Sequence, residues 1–273
     1  MMSESLVLGS DPRSAVVLAL LLVNLTGGLA ILTVALARLP ARRMLGPGAA
    51  YQLWLAPLIV ALVTLLACLV PLDSERGSVV AAAAPQLALF APIWALGAVA
   101  VAARAAIAQA HFMAEARAGR AGPAVVGLIS PRILLPADDG TYSADERELI
   151  RAHEREHVAH KDTRATALCV LIQCLCWFNP LAHLAAHLMR LDQELARDAA
   201  VIMGRPGARA LYARTLLKSQ LAVAPLPFGC YWPARGRHPL EVRVALLKRR
   251  TDQGPPRLRC ADDFRPPVAA IRP

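Results

Sequence analysis

Charge is what this 273-residue chain withholds over long distances. Asp, Glu, Lys and Arg are absent from residues 15–37, 49–70 and 79–103. The first two runs are long enough to cross a bilayer as helices. The third contains Pro85 and Pro92, which narrows its predicted span to 85–103. None of the three carries an internal acid or base, so a transporter with a charged relay inside the membrane is disfavoured. Acidic residues are scarce overall, 20 against 30 basic ones, for a net charge of +10. No DNA-reading motif accompanies that excess, and direct nucleic-acid binding is not expected. Of the six cysteines, Cys68, Cys169, Cys174 and Cys176 lie in apolar segments without zinc-knuckle spacing. Cys230 and Cys260 read as reduced thiols. No internal repeat or targeting signal is present. A leader holding Glu4, Asp11 and a single Arg13 before so long an apolar run argues against a cleaved signal peptide.

What the chain has in plenty is apolar surface: 56% hydrophobic residues and a mean hydropathy of +0.43, high for a soluble domain. Tyr51 and Trp54 stand near one end of the second run as interfacial anchors. Arg38, Arg42 and Arg43 crowd the first connection, whereas Asp73, Glu75 and Arg76 share the second. Arg104, Arg117, Arg120 and Arg132 follow the third. The bias of basic residues therefore places the N-terminus outside and everything after residue 104 in the cytoplasm. These features predict a mainly α membrane protein in three parts. Residues 1–110 form a transmembrane region with helices at about 15–37, 49–70 and 85–103. Residues 111–221 form a membrane-associated domain, and residues 222–273 a basic, Pro- and Arg-rich tail.

Histidine is also rare, 7 residues in all, yet two fall in His153-Glu154-Arg155-Glu156-His157. This is the H-E-x-x-H pattern of zinc-dependent peptidases. Ser143 with Glu146 three residues on makes a capping box, opening a Gly- and Pro-free run through Lys161. Leu149, Ile150, His153 and His157 share one stripe of that helix. The two imidazoles then face one way, one turn apart, close enough to hold one metal ion. Glu154 stands beside them as the base that takes a proton from the attacking water. A catalytic zinc needs a third protein ligand. Glu194 and Asp198, four apart in a second unbroken helical stretch, supply it. Glu194 is the expected ligand and Asp198 the carboxylate that steadies a ligand histidine through its other ring nitrogen.

The remaining histidines are weaker candidates. His183 and His187 share the four-residue spacing without an adjacent glutamate, and read as polar groups buried near the first site rather than a second metal site. His160 reads as a surface residue or substrate contact. For the group that stabilises the oxyanion, His183, His187 and Tyr212 are the candidates.

Residues 165–178 are apolar and end at Asn179-Pro180. Fourteen helical residues reach about 21 Å, short of the roughly 30 Å hydrocarbon core. A crossing would leave Glu194 on the wrong side from His153 and His157. The segment is therefore either a buried core helix or one that dips into the membrane and returns, and the zinc site lies close to the inner membrane surface. Residues 124–128 and 133–135 read as two short strands joined by a turn at Ser130-Pro131-Arg132, with Pro136 ending the second. Such a hairpin is either structural or an edge that holds an extended peptide. Further on, 208–221 and 239–250 read as helices, the rest as a solvated tail.

Four stretches together resemble the BlaR/MecR-type membrane metallopeptidases, the regulatory proteases of bacterial antibiotic-response systems. They are 127–136 (GLISPRILLP), the helix from His153 to Asp162, 177–180 (WFNP), and Glu194 to Asp198. The resemblance spans about residues 10–220. It implies a gluzincin-type catalytic domain with a small β-hairpin among transmembrane helices, in the bacterial inner membrane. It also implies one Zn2+ per chain held by His153, His157 and Glu194, with Glu154 as catalytic base and Asp198 as support. Arg197 stands where relatives often carry a cysteine, a departure not expected to touch the metal. Sensors of this family continue into an extracellular penicillin-binding domain. No such domain or Ser-x-x-Lys acylation motif occurs here, and direct β-lactam sensing is not expected of this sequence. Family members cleave themselves or promote removal of a helix-turn-helix repressor, which makes a peptide or protein substrate, such as that repressor, the implied partner besides the lipid bilayer. The rival reading is a catalytically silent membrane transducer whose zinc site only ties helices together.

Overall fold

The computed structural model describes residues 12–68, 74–119, 122–135, 140–221 and 239–248. Three helices are long and apolar enough to cross a membrane: residues 16–44, 47–67 and 89–117. The first belongs to α1 (Pro12–Met44), which overshoots its uncharged run by two turns because Arg42 and Arg43 suit the electronegative end of a helix. The second is broken into α2 (Pro47–Gln52) and α3 (Leu55–Ala67). The third lies within α4 (Ser74–Arg117), a continuous helix. Neither Pro85 nor Pro92 interrupts it, so the expected restriction to 85–103 gives way to a longer rod. Membrane helices tolerate proline where neighbours take up the freed carbonyls.

These helices expose leucine in a way water would not permit: Leu25, Leu36, Leu89 and Leu96 are each more than 70% exposed. Such a band is the signature of a lipid-facing surface. Between α1 and α3 the Thr26 and Thr64 hydroxyls pair at 2.9 Å, a polar contact of the kind that holds helices together in an apolar solvent.

After α4 comes a two-stranded antiparallel hairpin, β1 (Ala124–Val126) and β2 (Arg132–Leu134), in register Val125 opposite Ile133. Arg132, expected in the turn, is the first residue of β2. Gly127 sits at φ +100°, and a Cβ there would come within 2.7 Å of the Ser130 carbonyl oxygen, so the tight return needs glycine. Pro136 lies outside the described residues.

The rest is helical: α5 (Ala144–Ala159), α6 (Asp162–Leu175), α7 (Pro180–Gly204), α8 (Arg209–Leu221) after a single 3-10 turn, and α9 (Pro239–Lys248). The capping box at the head of α5 forms as expected: Ser143 Oγ accepts from the Glu146 amide, and the Glu146 carboxylate accepts from the Ser143 amide at 2.8 Å. The far end differs. Lys161 adopts φ 58°, ψ 35°, so α5 ends at Ala159 rather than running through Lys161. The left-handed residue turns the chain sharply into α6.

Helix α7 is the axis of the molecule. On one side Leu149, Val201, Ile202, Tyr212, Leu216 and Leu247 close a core among α5, α7, α8 and α9. On the other, Ile31, Val34, Trp54 and Met189 pack it against the membrane helices. Burying apolar side chains on both faces lets one rod carry the domain and bind it to the membrane region. A polar bolt completes that second interface. Asp192 is fully buried and accepts hydrogen bonds from Arg38 at 3.2 Å, from Trp54 at 2.9 Å and from Arg42. The helix expected at 239–250 is present as α9, which packs on α7 and α8. Cys230 and Cys260 lie outside the described residues.

Candidate metal centre

The stripe that sends Leu149 and Ile150 into the core also turns His153 and His157 toward α7, which delivers Glu194 from the opposite side. The two Nε2 atoms stand 3.0 Å apart. Glu194 lies 3.4 Å from His153 Nε2 through one oxygen and 3.5 Å from His157 Nε2 through the other. Three donors from two helices therefore meet within 4.8 Å.

The hydrogen bonds behind the imidazoles fix what those Nε2 atoms are. His157 Nδ1 is 2.7 Å from Asp162, an obligate acceptor, so Nδ1 carries the proton. His153 Nδ1 is 2.8 Å from the Tyr212 hydroxyl. That hydroxyl donates its own proton to Asp198 at 2.7 Å, so its oxygen accepts from Nδ1–H. In the neutral rings both Nε2 atoms are then bare lone pairs, aimed at one another and at a carboxylate. Three electron-rich atoms converging in this way repel unless a cation lies between them. Zn2+ is bound by imidazole nitrogen and carboxylate oxygen at 2.0–2.2 Å in a tetrahedron, whose edges are then about 3.4 Å. The observed separations fit that ion.

Two charged networks hold the donors in place, as metal sites usually require. Behind His153, Asp198 accepts from Tyr212 and from two nitrogens of Arg243 at 2.8 Å each. Arg243 also reaches Glu194 at 3.0 Å. Behind His157, Asp162 accepts from Arg197 at 2.7 and 3.0 Å and from the Tyr51 hydroxyl at 3.3 Å. Gln193 donates to that hydroxyl at 3.0 Å, and the Arg197 guanidinium lies 5.3 Å over the Tyr51 ring.

Electrostatics sharpen the assignment. Burial opposes charge on Glu194, but Arg243 and then the imidazoles outweigh it and hold the carboxyl far below its ordinary range. Burial pushes the Glu154 carboxyl up, partly offset by His153 and His157. A raised carboxylate is a better proton acceptor, as a general base needs. Burial, reinforced by Asp198, drives the Tyr212 hydroxyl well above 10, which keeps its proton in place for Asp198. Asp162 resists burial through His157 and Arg197 and stays below the usual carboxylate range.

The sequence expectations divide accordingly. His153, His157 and Glu194 come together, Glu154 is buried among them, and Asp198 stands behind His153, largely through Tyr212. His183 does not lie near this site: its ring nitrogens engage Gln173 at 3.2 Å and the Trp177 carbonyl at 2.9 Å. It is neither an oxyanion candidate nor half of a second metal pair with His187. Tyr212 stands behind a ligand with its hydroxyl spent, so it too drops out as an oxyanion donor. His160 is exposed, with Nδ1 2.9 Å from the Glu156 carbonyl. Arg197 keeps off the metal donors yet grips the carboxylate that orients one of them. Sequence reading missed the parts played by Asp162 and Arg243. Asp162 had one signal, an acid five residues past the second motif histidine.

Residues 115–247 match the family model described as BlaR1 peptidase M56. Over 80 residues the chain is 34% identical to the regulatory protein BlaR1 of Bacillus licheniformis. That alignment covers 29% of this chain and 13% of the relative. No solved structure matches the chain.

Proposed function

We propose that this chain, whose residues 115–247 match the family model described as BlaR1 peptidase M56, is an integral-membrane zinc metalloendopeptidase of regulatory proteolysis, acting on itself or on a transcriptional repressor. The observation that carries the reading is the convergence of three lone-pair donors, His153 Nε2, His157 Nε2 and a Glu194 oxygen, with every opposing nitrogen already proton-bound to an acceptor. A zinc ion there supplies a Lewis acid that polarises the scissile carbonyl and acidifies a water. The protein does the rest. Glu154 accepts a proton from the attacking water and passes it to the departing amine. Asp162 and the Tyr212–Asp198 pair keep each imidazole in its Nδ1–H form, so that both Nε2 atoms remain donors. The basic cluster Arg38, Arg42 and Arg43 supports a site on the cytoplasmic side of the inner membrane. Cysteine labelling near residue 155 from outside alone would reverse that orientation.

Glu154→Gln tests the chemistry. The purified variant keeps one zinc per chain but loses self-cleavage in cells, by at least about a hundredfold in rate. Undiminished cleavage removes Glu154 from its role. The rival reading, a silent transducer with a structural zinc, draws on one contact: Arg243 already ties Glu194 to Asp198 without a metal. A transducer carrying Glu154→Gln signals normally, and a peptidase does not.

A further inference from the structure

We infer that α6 and the first half of α7 form a re-entrant hairpin, inserted from the basic end of α1 to the middle of the bilayer, with lipid hydrocarbon as its partner. Three rods give its depth. Asp192 on α7 is bolted to Arg38 and Arg42 on α1. Towards the start of both helices, Asn179 Nδ2 donates to Asn24 Oδ1 at 2.9 Å. From Arg38 back to Asn24 is about 21 Å of helix, and from Asp192 back to Asn179 about 20 Å. The two rods run parallel at nearly one pitch, so the hairpin tip lies as deep as Asn24, near the centre of the uncharged run of α1. The third rod, α4, agrees. Trp94 donates to the Leu175 carbonyl at 2.8 Å and its own carbonyl accepts from Trp177 at 3.1 Å. Gly97 leaves the room Trp177 fills, since a Cβ there would sit 2.1 Å from its ring. Trp94 is about 15 Å from Arg104, where the uncharged run of that helix ends.

The tip is also built for hydrocarbon. Irregular backbone at membrane depth must find its hydrogen bonds within the protein. Here the Leu175 carbonyl accepts from the Trp94 indole and the Trp177 carbonyl is 2.9 Å from His183 Nε2. The Leu181 amide donates to Asn179 Oδ1 at 2.9 Å. Gln173 is buried and spends its amide on the other nitrogen of His183. No Asp, Glu, Lys or Arg occurs between Arg164 and Arg190. Outward-facing positions on the hairpin are Leu168, Leu171, Leu175, Phe178 and Leu184, all exposed. A core helix in water would bury that face, and among the described residues nothing covers it. On the peptidase reading, Glu194 then sits one helical turn or less beyond the plane of Arg38 and Arg42. The bond to be cut is therefore a membrane-proximal one.

The test measures depth, not activity, so it stands apart from the peptidase reading. The full chain, with its native cysteines replaced, carries a nitroxide at Leu171→Cys, Phe178→Cys or Met203→Cys in lipid nanodiscs. Met203, at 75% exposure beyond the core of α7, is the aqueous reference. The labels at 171 and 178 are expected to collide with oxygen at least about tenfold more than with a water-soluble nickel chelate, and the label at 203 to show the reverse. Nickel access at 178 equal to that at 203 overturns the inference, because the tip is then in water. Exclusion of both colliders also overturns it, because a second copy of the chain then covers the face. Should removing the cysteines lower zinc content, Phe178→Trp in the native background gives the same answer. Its added fluorescence must be quenched most by lipids brominated near the bilayer centre, and shallow quenching alone refutes the placement.

Discussion

Asp162→Asn separates the two duties of one carboxylate. The amide keeps an oxygen to accept from His157 Nδ1, now at 2.7 Å, but loses the charge that raises the basicity of Nε2. Changing such a partner weakens metal binding about 10- to 100-fold, or roughly 1.4–2.7 kcal/mol. Because the acceptor survives, the lower end is expected. Stability falls by more. Arg197 is 4% exposed and donates to both Asp162 oxygens. An uncompensated buried charge costs about 3–5 kcal/mol, here nearer 3, since the Tyr51 ring at 5.3 Å still faces the guanidinium. Adding Arg197→Met to Asp162→Asn removes the orphaned charge. Stability should then return to within about 1.5 kcal/mol of wild type, while the zinc deficit persists. Zinc affinity is read by competition with a chromogenic chelator, and stability by denaturant unfolding of chelator-treated protein in detergent. A double variant that regained both properties would refute the argument, for it would mean that Asp162 acts on the metal only by holding Arg197.

Arg243→Met leaves Glu194 and Asp198 without their shared cation. The loss should be larger without zinc than with it, because bound metal stabilises the folded state by mass action. Equal melting shifts with and without zinc would exclude that compensation. Tyr212→Phe should weaken zinc binding by about tenfold, the lower limit, because Asp198 already stands 3.4 Å from His153 Nδ1 and can accept from it directly. A hundredfold loss by chelator competition would assign the hydroxyl more than a relay. At the head of α5, Ser143→Ala should cost about 1 kcal/mol, read from denaturant midpoints, and no change would disqualify the cap. The Ser143 amide, then Lys218, holds Glu146 below its usual 4.5. A carboxyl depressed by folding stabilises the fold above 4.5 and loses that contribution as pH falls through its folded value. The stability difference between wild type and Glu146→Gln should therefore shrink in acid, and a constant difference would deny the capping carboxylate its charge.

The legible part of this molecule is the part whose information is local. Ser143, Glu146, His153 and His157 are related by spacings of three and four, which a helix converts directly into a cap and a paired face. Glu194 and Asp198 follow the same rule in another helix. The uncharged runs needed only length. Where sequence reading slipped, the backbone departed from its local preference. Pro85 and Pro92 fail to end α4, and Lys161 breaks α5 by adopting a left-handed conformation that nothing in its own identity announces.

What stayed hidden is the set of buried counter-charges, and the reason is physical. Arg243 is one of 30 basic residues in a Pro- and Arg-rich stretch, and its partners Glu194 and Asp198 lie about 45 residues upstream. Asp192 meets Arg38 and Arg42 across some 150 residues of chain. Long-range ion pairs have no period, and a basic residue facing water reads the same in sequence as one facing a carboxylate. Yet these pairs decide the site. A buried Asp192, Asp198 or Asp162 is tolerable only with its cation in place, so each acid fixes where a remote helix must dock. α1 meets α7 through Asp192, α9 meets α7 through Asp198, and α6 meets α7 through Asp162. All three acids or their partners lie on α7 within two turns of Glu194. The helix that carries Glu194 is thus the one clamped from every side, and a carboxylate so held would lose little further freedom on binding an ion.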